Sequence, residues 1–258
     1  GDWSSDVCSS DLEIRTLISK IVTTKLNKER MKRKMKTIFG VSSVIPINQK
    51  LKNGYTMYDW VKRQKCFPAF CMRTLGGEGK ITVEEIEFLK AKACKIGLVI
   101  HDLSEAQVSG INGTRDALKA VEAAKKLGVP QNSGIALFAE IMSEWSVNHN
   151  WMITFAQTIS TNGYVPGFIG NTDSSKNFNF DRQCSHYVQA TKDINYFGAV
   201  FMATEPKVDG IPGKWEPYCP SALDSRDISL WSCGTTTFDS IGVEDVYIRN
   251  EKVLDNMY

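Results

Sequence analysis

Between residues 37 and 248, short apolar runs alternate with stretches of helical period, and most of the apolar runs end in polar residues. The clearest run is IALFA at 135–139, entered from the turn-forming PQNSG at 130–134 and followed at once by Glu140. A continuous apolar run of this length suits a parallel strand covered on both faces. Comparable runs predict strands at 37–41, 67–72, 96–100, 164–169, 197–203, 228–231 and 243–248. Helices are expected at 55–64, 82–93, 114–127, 147–160 and 181–191. Thr82, with Glu85 three residues on, has the form of a capping box. Gly128 and Pro130 stop the alanine-rich helix before them.

Eight strands separated mainly by helices lead to an α/β fold, a (β/α)8 TIM-type barrel of parallel strands. Its second half is less regular, because the segments around strands seven and eight lack convincing helices. A doubly wound open sheet is the alternative. That fold calls for a glycine-rich phosphate turn after strand one, and VSSVIPINQ at 41–49 has none. The loop Gly76-Gly77-Glu78-Gly79 follows strand two and is not a dinucleotide fingerprint.

Composition narrows the function classes. A chain of 258 residues has room for one large domain, or two small ones at most, and a net charge of +2 gives no reason to expect a nucleic-acid partner. No run approaches the roughly 18 apolar residues of a membrane span. The seven cysteines include no Cys-x-x-Cys pair and the histidines lack metal-ligand spacing, so neither a zinc site nor a cofactor is expected. The cysteines read as buried, reduced thiols, with Cys66, Cys71 and Cys94 in or beside apolar segments.

The basic residues cluster near the start. GDWSSDVCSSDL at 1–12 is similar to a peptide that arises when sequencing-adapter DNA is translated, and a lysine-rich stretch follows to residue 34. Residues 1–34 are therefore expected to lie outside the fold, with the natural start at Met31 or Met35 and a barrel domain at 35–258. The alternative for the lysine-rich stretch is a basic arm that binds nucleic acid. Residues 37–47 are too short and polar for the apolar core of a signal peptide, which leaves localisation open.

Ligands of parallel α/β folds meet the carboxyl ends of the strands, so acids placed there are the candidates for chemistry. They are Asp102 after strand three, Glu140 after strand four, Glu205 after strand six and the Glu244-Asp245 pair in strand eight. Period-2 alternation lets only one of Glu244 and Asp245 face the barrel axis. If the register of strand four slips by one, Ile141 faces the axis and Glu144 becomes the acid to consider. Arg73 ends strand two, where it either forms a salt bridge in the mouth or favours the ionised form of a catalytic carboxylate. His101 reads as a hydrogen-bonded strand-end residue. Trp145, Trp215, Tyr218 and Trp231 are candidates to stack against the apolar faces of sugar rings, with packing at the barrel top as the alternative.

Several ordered features resemble a family of bacterial glycoside-hydrolase-like TIM barrels, formerly a domain of unknown function, related to the family 25 lysozymes. They are Gly40-Val41-Ser42-Ser43 in strand one, Met72-Arg73-Thr74-Leu75 ending strand two, and Ile81-Thr82-Val83-Glu84-Glu85 opening a helix. Gly110 leading into the alanine-rich helix, Leu127-Gly128-Val129-Pro130, and Asn162-Gly163-Tyr164-Val165-Pro166-Gly167 complete the series. The resemblance implies a polysaccharide partner and cleavage of peptidoglycan or a related aminosugar polymer by paired carboxylates, with Glu140 as general acid. It favours Asp245 as the axial acid of strand eight. Ser42 stands where the family carries an aspartate, and Glu140-Ile141 stands where many members carry one. Those departures keep a second expectation open, a barrel that binds glycan without cutting it.

Overall fold

The computed structural model describes residues 37–238 and 241–258, and the expected extension at 1–34 lies outside them. Eight strands form a closed barrel in chain order. They are β1 (Ile38–Ser43), β2 (Phe70–Thr74), β3 (Lys95–Ile100), β4 (Ala136–Glu140), β5 (Val165–Gly170), β6 (Val200–Ala203), β7 (Ile228–Phe238) and β8 (Ile241–Ile248). Outside it lie α1 (Met57–Gln64), α2 (Val83–Ala91), α3 (Glu105–Val108), α4 (Thr114–Lys126), α5 (His149–Thr161) and α6 (Asn179–Thr191). No helix of the described residues is long and apolar enough to cross a membrane.

The barrel is mixed, which corrects the all-parallel expectation. Strands β1 to β7 pair in parallel, whereas β8 runs antiparallel to both β7 and β1. Strand β7 reaches Phe238, well past the predicted end at Trp231, and only two residues separate it from β8. A connection that short joins antiparallel neighbours and has no room for a crossover. Helices separate consecutive strands up to β6, and none of the described residues forms one between β6 and β8. The result is an α/β barrel whose last quarter is a hairpin.

Alternation along the strands sorts the apolar side chains into two cores. Inside the barrel pack Phe70, Met72, Val99, Phe138, Ile169, Met202, Leu230 and Val246. Outside, Val41, Leu98, Leu137, Phe168, Phe201 and Tyr247 pack against the helices. The interior is filled because glycines face its largest residues: a Cβ on Gly40 would lie 2.5 Å from the Phe70 ring, and one on Gly167 would lie 2.4 Å from Phe138. Val253, Leu254 and Met257, in and after the 3₁₀ turn Glu251–Asn256, join the inner core at the end where β8 finishes. The floor of the barrel is thus closed with apolar side chains, and polar chemistry is left to the opposite mouth.

Candidate active site

The mouth is formed by the carboxyl ends of β1 to β6 and, because β8 is reversed, by its amino-terminal half. Ser42 is the ladder partner of Glu244, and Val41 that of Asp245. Val41 belongs to the outer core, so Asp245 faces outwards and Glu244 faces the axis. This corrects the expectation for Asp245. Only 1% exposed, it is bound by Lys65 and accepts a 2.7 Å hydrogen bond from the Thr236 hydroxyl. Its charge is committed to holding the β7–β8 hairpin against the end of α1.

Glu140 lies at the axial position that follows Ala136 and Phe138 in β4, and its neighbour Ile141 is buried in the outer core. The slipped register is therefore not the one adopted, and Glu144 is exposed. His101 continues the axial positions of β3 after Val99 and meets Glu140 directly, its Nδ1 against the carboxylate Oε2. Both keep access to solvent, with side-chain exposures of 33% for His101 and 23% for Glu140. The hydrogen bond to Glu140 raises the His101 pKa above its ordinary value; burial opposes this, and the charges of Glu140, Glu244 and Asp102 add to it. Across the mouth, the Ser232 hydroxyl donates to Glu244 Oε2 at 2.8 Å, and Lys207 Nζ reaches the same hydroxyl at 3.4 Å. Two axial carboxylates thus stand at the mouth in different settings, one against an imidazole and one against a hydroxyl.

A cavity of about 560 Å³ opens beside His101, between Val44–Pro46 after β1 and the glycine loop 76–79 after β2. Asp102 forms part of its wall. Its carboxylate sits so close to the loop that a Cβ on Gly76 would lie 2.9 Å from it, and Lys119 holds it at 2.6 Å. It belongs to the rim and not to the axis.

The remaining candidates are placed elsewhere. Arg73 is completely buried and faces the outer layer. Its Nε and Nη2 grip Glu85 at 2.6 and 3.1 Å, while the other contacts are the carbonyls of Ser43 and Gly79. Thr82 caps α2 through the Glu85 amide, but the Glu85 carboxylate turns inwards to Arg73 and the Ile47 amide, so the expected reciprocal box is not made. Arg73 supports the cavity from behind, by fixing the chain on either side of it. Glu205 is half-buried and its carboxylate accepts from the Lys207 amide in its own loop.

Trp231 is 2% exposed, donates its indole N–H to Pro206 and packs edge-on against Trp215 at 5.7 Å. Trp215 in turn donates to the Ser225 carbonyl. Both rings anchor the β6–β7 loop to the outer face and are too buried to stack on a sugar. Trp145 is half-buried against the outer core, and Tyr218, at 41%, is exposed. Cys66 is exposed rather than buried, while Cys71, Cys94, Cys184 and Cys233 are buried. Among the described residues, no group of three or more His, Cys, Asp or Glu could hold a metal ion.

No known family model matches the chain, and no characterised protein matches it in sequence. Similarity is found among solved structures. An uncharacterised protein of B. stearothermophilus superposes with a TM-score of 0.71 at 22% identity, over 86% of this chain and all of that one. The Tat-secreted protein Rv2525c of Mycobacterium tuberculosis, in complex with HEPES, gives a TM-score of 0.52 at 11% identity, covering 83% of this chain and 95% of its own. Its complex with L-tartrate gives 0.53 at 12%, covering 84% and 97%. At these identities the likeness is one of fold.

Proposed function

We propose that this barrel is a glycoside hydrolase acting on peptidoglycan or a related aminosugar polysaccharide, with Glu140 and Glu244 as its pair of carboxylates. The observation that supports the reading is that these two acids face the axis at the same mouth, with Glu140 bonded to His101, which lines a cavity large enough for a sugar. Glycoside cleavage needs one group to give a proton to the departing oxygen and a second carboxylate to act as nucleophile, base or charge stabiliser. Glu140, hydrogen-bonded to His101, forms the proton-donating side. Glu244, held by Ser232, is the second carboxylate. The pair differs from the one the sequence resemblance suggests, because Asp245 is taken up by Lys65.

A second reading, glycan binding without cleavage, is favoured by one feature. Ser42 stands opposite Glu244 at the end of β1, where the resembling family carries an aspartate. Cleavage and binding assays on purified peptidoglycan separate the two. A hydrolase loses cleavage and keeps binding in Glu140→Gln and in Glu244→Gln, whereas a binding barrel cuts nothing in any form.

A further inference from the structure

The cavity beside His101 does not end at the Asp102 rim. A hollow of about 350 Å³ shares Gly76, Gly77 and Asp102 with it and continues between the β2–α2 loop and α4. A further one of about 750 Å³ shares Lys119 and extends past the start of α4. The three adjoin through these shared wall residues and form an interrupted groove leading away from the mouth.

The walls of that extension carry four basic side chains, Lys80, Arg115, Lys119 and Lys126, and three acids, Asp102, Glu122 and Asp116. Arg115, Lys119 and Lys126 are spaced by four and seven residues on α4, which places them on one helix face, spread over about 16 Å of its length. Lys80 faces that stripe from the β2–α2 loop. Lys119 is paired with Asp102 at 2.6 Å and Lys126 with Glu122 at 2.7 Å, both lysines remaining largely exposed. Asp116, the third acid of the extension, is buried and accepts from Gln107 and from the Trp151 indole, while the exposed Glu78 lines the cavity beside His101. Lys80 and Arg115 form no ion pair among the described residues. A row of exposed cations, two of them without an ion pair among the described residues, leads towards a mouth that holds Glu140 and Glu244.

We infer that this groove binds the anionic part of the glycan, a chain bearing carboxylate or phosphate groups, and so directs one stretch of it towards Glu140. The inference rests on the glycan reading given above and adds the charge of the substrate to it. A neutral sugar in the groove would offer Lys80 and Arg115 no charge to pair with. An anionic one would pair with Lys80 and Arg115 and could compete for Lys119, whose partner Asp102 sits at the junction with the mouth.

Titration calorimetry of the full chain at low salt tests this with three probes: a short polygalacturonate, a polyglycerol phosphate and a neutral chito-oligosaccharide. One or both anionic polymers should bind roughly fivefold tighter than the neutral one, the preference should fade with added salt, and K80E/R115E should abolish it. Comparison of the two polymers identifies which anion is taken. Both substituted residues are exposed, and unchanged affinity for the neutral probe certifies the fold. If the neutral probe binds and the anionic ones bind no tighter, or if the double variant keeps the preference, the inference falls while the glycan reading stands. If none of the three binds, both fall.

Discussion

Ser42 and Glu244 face each other across the antiparallel β1–β8 ladder, and this one pairing sets which acid of β8 reaches the barrel axis. The next residue, Asp245, points the other way, to Lys65 and Thr236. Adjacent acids therefore have opposite tasks, one in the mouth and one in the packing of the hairpin.

That division predicts opposite outcomes for two similar substitutions. Asp245→Asn removes the charge facing Lys65 in a buried position and should lower stability by about 1–3 kcal/mol. Glu244→Gln, half-exposed at the mouth, should leave stability nearly unchanged and reduce glycan cleavage. Urea unfolding of both variants checks the first half; equal stability of the two would contradict the assignment of faces.

Arg73 and Glu85 are both completely buried and bonded twice. Arg73→Met strands the Glu85 carboxylate and frees the carbonyls of Ser43 and Gly79. A buried pair broken on one side costs about 3–5 kcal/mol, so the variant should unfold at markedly lower urea than wild type. A midpoint within error of wild type would show that the outer layer is not braced here.

His101 gives the fold a pH dependence of known sign. Its pKa is raised in the folded chain by Glu140, so its contribution to stability is complete below the unfolded value of about 6.5. The contribution is lost as the pH rises through the raised folded value. The melting-temperature gap between wild type and His101→Gln should therefore be wide at acidic pH and close under alkaline conditions. A gap that widens with rising pH would reverse the assignment.

Much of the first half of the barrel could be read from the chain, and the reasons lie in particular residues. The run at 135–139 has one length and one boundary on each side, and its even positions lead to Glu140 at the axis. Strand eight is different. Its two parity sets are Val243, Asp245, Tyr247 and Glu244, Val246, Ile248, each with two apolar members, because both faces are covered. Alternation then carries no information about which set is inside. The choice follows from pairing with β1, which depends on the strand's direction. That direction follows from the short connection after Phe238, whose signal was the β-branched run Thr235-Thr236-Thr237 continuing beyond the predicted end of strand seven.

Arg73 and the tryptophans show the same ambiguity from another side. A polar residue at a strand end is placed in the mouth only if its parity points inwards, and Arg73 shares the outward parity of Cys71. Trp215 and Trp231 lie in mouth-side segments, yet each indole N–H has a backbone acceptor in the loop they pin. His101 became informative only once β3 and β4 were paired, which sets it beside Glu140.

The most direct measurement is release of reducing sugar from purified peptidoglycan by wild type, Glu140→Gln, Glu244→Gln and Asp245→Asn under one set of conditions. The account predicts release by wild type and a fall of about 10²–10⁴-fold in Glu140→Gln, because the amide keeps shape but has no proton to give. It predicts a large fall in Glu244→Gln as well, with Asp245→Asn keeping its activity wherever it remains folded. Full activity in Glu140→Gln, or loss confined to Asp245→Asn while that variant is folded, would contradict it.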